Sequence, residues 1–301
     1  MKLASPLFPL AAAIVLALSG CAATPGADAA SGSPVRVVAS TDVWGDIVQE
    51  IGGSGVKVTS IITDPGRDPH DYESDARDQL ETARAQIVVE NGGGYDDFLN
   101  RLTANAKGAA VLNAVSLSGL DQHPASGSFN EHIWYDYPAV GRVAGAIAAE
   151  LDRVAPAQRA RTAAGLAHFR AALAELEKDE ADIRTHAKGK GVAITEPVPL
   201  YLTDALGLVN RTPAAFSSAI ESGTDVAPAV LQRQLALLRE HRVALVAYNE
   251  QTTGATTEQV LAVAKSAGVP VVGVRETLPD GEGYLEWMRR DLTAMKAAVT
   301  R

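Results

Sequence analysis

Apolar positions along this chain follow two alternating periods. Val35–Ser40 (VRVVAS) is a β-branched run, which predicts a buried strand. Asp42–Ile51 carries Val43, Ile47, Val48 and Ile51 at helical spacing, and Gly52-Gly53 stops that helix. Val56–Ile62 (VKVTSII), Gln86–Glu90 (QIVVE) and Ala110–Asn113 (AVLN) predict three more strands. Between them, Ser74 or Asp75 can cap a helix containing Leu80, Thr82 and Ala83. Strands alternating with helices imply a parallel sheet. Leu117–Asn130 reads as a polar loop.

From Pro138 to about Lys188 no strand pattern occurs. Pro156 can open a helix, and the chain from there to His186 is rich in good helix formers. Leu166, Phe169, Leu173, Leu176 and Ile183 share one face of it. About 30 residues at 1.5 Å each predict a rod of about 45 Å, long enough to link two lobes. Alternation then resumes. Val192–Thr195, Val243–Tyr248 and Val269–Val274 predict strands, and Ala229–His241, Thr256–Gly268 and Tyr284–Val299 predict helices. A helix, a strand and an asparagine follow one another at Ala76–Asn91 and again at Pro228–Asn249, a faint internal echo. The expected fold is α/β. Two lobes, each with a small, mainly parallel sheet flanked by helices, are joined by one long linking helix, with a cleft between them. The predicted boundaries are an amino-terminal lobe at 35–155, the linking helix at 156–188 and a carboxyl-terminal lobe at 189–301.

The amino terminus adds a destination. Lys2, the apolar run Leu10–Leu18 and small Ser19-Gly20 have the layout of a secretory signal peptide. That run is too short to span a bilayer. Leu18-Ser19-Gly20-Cys21 resembles a bacterial lipobox, which implies cleavage after residue 20 and a lipid on Cys21. Residues 21–34, rich in Ala, Gly, Ser and Pro, read as a flexible tether. Cys21 is the one cysteine among 301 residues, so no internal disulfide or CxxC site exists. A net charge of −9 and 5% aromatic residues argue against nucleic acid as a partner.

Two histidines stand where such folds place ligands, beyond the carboxyl ends of strands. His70 follows the second strand in Asp68-Pro69-His70-Asp71-Tyr72-Glu73, and His132 follows the polar loop in Asn130-Glu131-His132-Ile133-Trp134. Sixty-two residues separate them, so any shared site has to be built by the fold. His123, His168, His186 and His241 read as surface residues. Glu90, Asp96, Asp97 and the charged run Glu175–Asp182 read as solvated.

The segment Val58–Glu73 (VTSIITDPGRDPHDYE) resembles the first ligand segment of the zinc/manganese substrate-binding lipoproteins of ABC transporters, which ends Asp-Pro-His-x-Tyr-Glu. Ile51-Gly52-Gly53 before it also matches. The second family segment, Asp-Pro-His-x-Trp, corresponds to Asn130–Trp134, with Asn-Glu in place of Asp-Pro. The third corresponds to Ile194-Thr195-Glu196, followed by Tyr201-Leu202 and Leu206-Gly207-Leu208. The fourth, usually an Asp after the last strand, corresponds to Glu276. The resemblance implies a metal site of His70, His132, Glu196 and Glu276, two ligands from each lobe, with Asp280 the alternative to Glu276. It places Glu250 at the rim of the cleft.

Two neutral imidazoles and two carboxylates balance a divalent cation. Carboxylates are harder donors than imidazole, so the set suits Mn²⁺ as well as Zn²⁺. The implied function is a monomeric, lipid-anchored, extracytoplasmic protein that captures Mn²⁺ or Zn²⁺ as cargo. It would hand the ion to an ABC permease driven by a separate cytoplasmic ATPase, since no P-loop GxxxxGK[ST] occurs in this chain. Such a chain is not an enzyme. Two other classes compete. An exported metal-dependent hydrolase would use Glu250 or Asp280 as general base on a metal-bound water. A surface adhesion protein would use the same scaffold without needing metal.

Overall fold

The computed structural model describes Met1, 33–64, 66–67, 69–104, 106–125 and 127–301. The signal peptide, Cys21 and nearly all of the tether lie outside the described residues. The amino-terminal sheet contains β1 (Val35–Thr41), β2 (Val56–Ile62), β3 (Ile87–Glu90) and β4 (Ala110–Asn113). They lie in the order β2-β1-β3-β4 and are all parallel. The helices of this half are α1 (Asp42–Gly52), α2 (Ala76–Arg84), α3 (Phe98–Thr103), α4 (Ala114–Leu117) and α5 (Tyr137–Val154). Asp75 caps α2 in a capping box with Asp78, each side chain accepting from the other's backbone N–H.

The long helix α6 runs over Arg159–Ala187, after a short 3₁₀ turn at Pro156–Gln158 that separates it from α5. It buries Phe169, Leu173, Leu176 and Ile183, as their spacing predicts. It is no bare strut, because α1, α5 and α11 all pack along it. Glu180 shares its buried face, one turn after Leu176, so the solvated reading of this residue does not hold.

The carboxyl-terminal half repeats the first topology. It consists of β5 (Gly191–Ile194), α7 (Leu200–Ala205), β6 (Val209–Asn210), α8 (Ala214–Glu221), α9 (Pro228–Arg239), β7 (Leu245–Asn249), α10 (Ala255–Ala267), β8 (Val271–Val274) and α11 (Tyr284–Val299). Its strand order, β6-β5-β7-β8, is the first order over again, and every pairing is parallel. The echo in the sequence is therefore a structural repeat. Asn91 follows β3 as Asn249 ends β7, each on the third strand of its half.

One apolar cluster joins the halves. Val37, Ile47, Trp44, Val143, Phe169, Ile194, Val272, Trp287 and Met295 all belong to it. Smaller clusters lie on the outer face of each sheet, under α8–α10 and under α3. Parallel sheets covered on both faces explain why the strands read as continuous apolar runs. The carboxyl ends of β2, β3, β5, β7 and β8 lead into the segments that carry His70, Asn91, Glu196, Asn249 and Glu276.

Candidate metal centre

His70 sits in a 3₁₀ turn, Pro69–Asp71, beyond β2. His132 is fully buried just before the turn Ile133–Tyr135. Asn130 Oδ1 lies 2.6 Å from His132 Nδ1. Because that oxygen can only accept, Nδ1 carries a proton, and in the neutral ring Nε2 is left with its lone pair. Asn130 is itself gripped by the other half: its Nδ2 donates to the Pro197 carbonyl at 3.2 Å, and its own carbonyl accepts from Tyr201 Oη at 2.8 Å. The family's usual Asp could not make the first of these bonds.

Glu196 and Glu276 are both buried, and Glu276 faces the imidazoles. Glu276 Oε2 is 3.7 Å from His132 Nε2 and 4.0 Å from His70 Nε2. These gaps are too wide for hydrogen bonds. Two ligands of one metal, each about 2.1 Å from it, stand roughly 3–4 Å apart. His132 Nε2 and Glu276 Oε2 are buried without a hydrogen-bond partner. His70, His132 and Glu276 form one group able to hold a metal, each offering an atom within 4.8 Å of the others. Glu196, expected as a ligand, is not a member of this group. Asn249 Nδ2 donates to Glu196 Oε2 at 2.5 Å and to Glu276 Oε1 at 2.8 Å, tying the two carboxylates together. Gln251 Oε1 accepts from the Glu276 N–H at 2.6 Å and fixes the backbone there.

Two glutamates that no motif singled out as ligands complete the surroundings. Glu131 and Glu221 form a second group with His70. Burial works against a charged ring, yet Glu276, then Glu221 and Glu131, push His132 up to about 9. Burial and the neighbouring Glu276 charge push Glu196 up to about 7. Burial pushes Glu221 up to about 8, against the pull of His132. Glu276 resists its own burial: His132 and His70 hold it below the usual carboxylate value. Glu196, Glu221 and His132, all raised, would surrender protons to a divalent cation.

The outer residues fall elsewhere. Glu250 forms an ion pair with Arg275 at 2.8 Å, and Asp280 is exposed. His123, His168, His186 and His241 are exposed, as expected. Trp44 is core, donating from Nε1 to Asn91 Oδ1 at 3.0 Å. Trp134 and Tyr95 pack against the His132 ring, and Tyr95 also against His70. Asp96 is buried rather than solvated. It accepts from the N–H groups of Asn91 and Gly92 at 2.6 and 2.8 Å, where Gly92, Gly93 and Gly94 all take positive φ to turn the chain after β3.

Sister sheets whose carboxyl ends face one group of imidazoles and carboxylates are the architecture of a two-lobed substrate-binding protein for a metal ion. The family model described as zinc-uptake complex component A, periplasmic, matches residues 37–298, and the chain belongs to that family. Over 126 residues, 40% of each chain, it is 32% identical to the manganese-binding lipoprotein MntA of Bacillus subtilis. Over the full length of both chains it is 24% identical to the manganese ABC transporter substrate-binding lipoprotein PsaA of Streptococcus mitis. The periplasmic zinc-binding protein TroA of Treponema pallidum shares the fold, with a TM-score of 0.75 at 16% identity, covering 89% of this chain and all of that one. Among the described residues no helix is long and apolar enough to cross a membrane.

Proposed function

We propose that this protein captures Mn²⁺ or Zn²⁺ between its halves and delivers it to an ABC importer. His70, His132 and Glu276 hold the ion, and Glu196, joined to Glu276 through Asn249, is the fourth ligand. The cation is cargo, and no bond is made or broken by this chain. The observation that carries the reading is the facing pair His132 Nε2 and Glu276 Oε2, both buried and both without a hydrogen-bond partner. Leaving two such groups unpaired costs free energy that only a ligand repays. The protein acts outside the cytoplasm as a monomer, held to the membrane by lipid on Cys21. A permease with a separate ATPase receives the ion. The sequence resemblance and the lipoprotein relatives support this setting.

The test is metal content by mass spectrometry of the natively purified protein beside His132→Ala and Glu276→Ala. About one Mn or Zn per parent chain, lost in both variants, is expected. A parent that takes up neither metal after reconstitution overturns the reading.

A further inference from the structure

The site just described leaves Glu131 and Glu221 without a task, and of the two Glu221 is the one within ion-pair distance of both imidazoles. Glu221 is the last residue of α8, an element outside the four sequence segments that suggested the ligands. Its Oε1 lies 3.6 Å from His132 Nε2 and 3.9 Å from His70 Nε2. These are the spacings that Glu276 keeps to the same two nitrogens. The other oxygen, Oε2, is buried and lacks a hydrogen-bond partner. The helix offers nothing in return, since a carboxylate at a helix carboxyl end meets the negative pole of the dipole. Fully buried His132 points its unpartnered Nε2 at this carboxylate as it does at Glu276.

We propose that Glu221 is a further direct ligand of the transported ion and that it sets the preference for Mn²⁺ over Zn²⁺. The inference rests on the metal-capture reading above. With Glu221 the protein donors number five: His70, His132, Glu196, Glu221 and Glu276. Closed zinc sites are four-coordinate. Mn²⁺ takes up to six donors and favours carboxylate oxygen. An added oxygen donor therefore helps Mn²⁺ more than Zn²⁺.

The experiment strips the full protein of metal and titrates it with MnCl₂ or ZnCl₂ against a chelator. Glu221→Gln, Glu196→Gln and His132→Ala are compared with the parent. Glu221→Gln keeps the shape of the side chain, and its metal-free melting temperature reports folding. It is expected to weaken Mn²⁺ binding at least about 100-fold, at or beyond what loss of an outer contact costs. Zn²⁺ binding should fall about tenfold or less, and the visible spectrum of the Co²⁺ form should change. Mn²⁺ and Zn²⁺ affinities both within about threefold of the parent, or falling equally, overturn the proposal while loss of metal in His132→Ala leaves the capture reading standing. Retention of metal in His132→Ala overturns both. Should Glu221→Gln not fold, X-ray absorption of the Mn²⁺-loaded parent decides. At least five light donors are expected, and four overturn the proposal.

Discussion

Asn91 follows β3 in the amino-terminal half, and Asn249 ends β7 in the carboxyl-terminal half, so the repeat places them in equivalent positions. Their partners differ. Asn91 works on backbone and core: it accepts from Trp44 and donates to the Glu131 carbonyl at 3.0 Å, one residue before His132. Asn249 works on the proposed ligands, donating to the carboxylates of Glu196 and Glu276. The supports around them differ in the same sense. Asp96, a carboxylate, collects the N–H groups beside Asn91, whereas neutral Gln251 collects the N–H of Glu276. A half that presents imidazoles can use an acid as scaffolding. A half that presents acids braces them with amides, because an amide N–H can donate to a carboxylate and an ionised acid cannot.

That contrast can be broken in order of size. Asn249→Ala should weaken metal binding about 10- to 100-fold, as removal of an outer contact does. The chelator competition assay reads this, with little change in metal-free folding because Glu196, pushed up to about 7, takes up a proton more readily than an ordinary carboxylate. Asn91→Ala should act the other way round. Orphaning Trp44 Nε1 costs about 1–3 kcal/mol of stability in a urea melt, while metal affinity changes less than Asn249→Ala changes it. An equal loss of affinity in both variants would erase the distinction. The smallest effect belongs to α6, which serves both halves. Burial pushes Glu180 up from its ordinary 4.5 to about 8. An acid raised on folding costs nothing below its unfolded value, and its full penalty is present above the folded one. Glu180→Gln should therefore stabilise the protein not at all at pH 4 and by about 1–2 kcal/mol at pH 8. Melts across that range measure the slope.

Most of the architecture is written in the period of the apolar residues. The alternation of β-branched runs with amphipathic stretches gives both sheets, and the face of Phe169, Leu173, Leu176 and Ile183 gives α6. The stretch between Pro197 and Pro213 stays silent, because α7 has six residues and β6 only two, too short for a period to register. The same silence hides α8 and with it Glu221. His70 and His132 are legible because their motifs are specific. Asn249 is visible as half of the repeat, but its grip on two carboxylates appears only when β5, β7 and β8 lie side by side. Asp96 deceives composition, since only the turn through Gly92–Gly94 shows that two N–H groups need an acceptor there.

The apolar cluster that runs from Val37 through Phe169 to Met295 ignores the boundary between the halves. The inner faces of both halves contribute to this one cluster, so each half is covered by the other. The same packing that joins the halves holds the imidazoles of one sheet and the carboxylates of the other in register. An ion bound between them therefore adds its free energy to the stability of the whole molecule rather than to one lobe. On the proposed function, cargo and fold are thereby coupled, and a loaded carrier unfolds less readily than an emptied one.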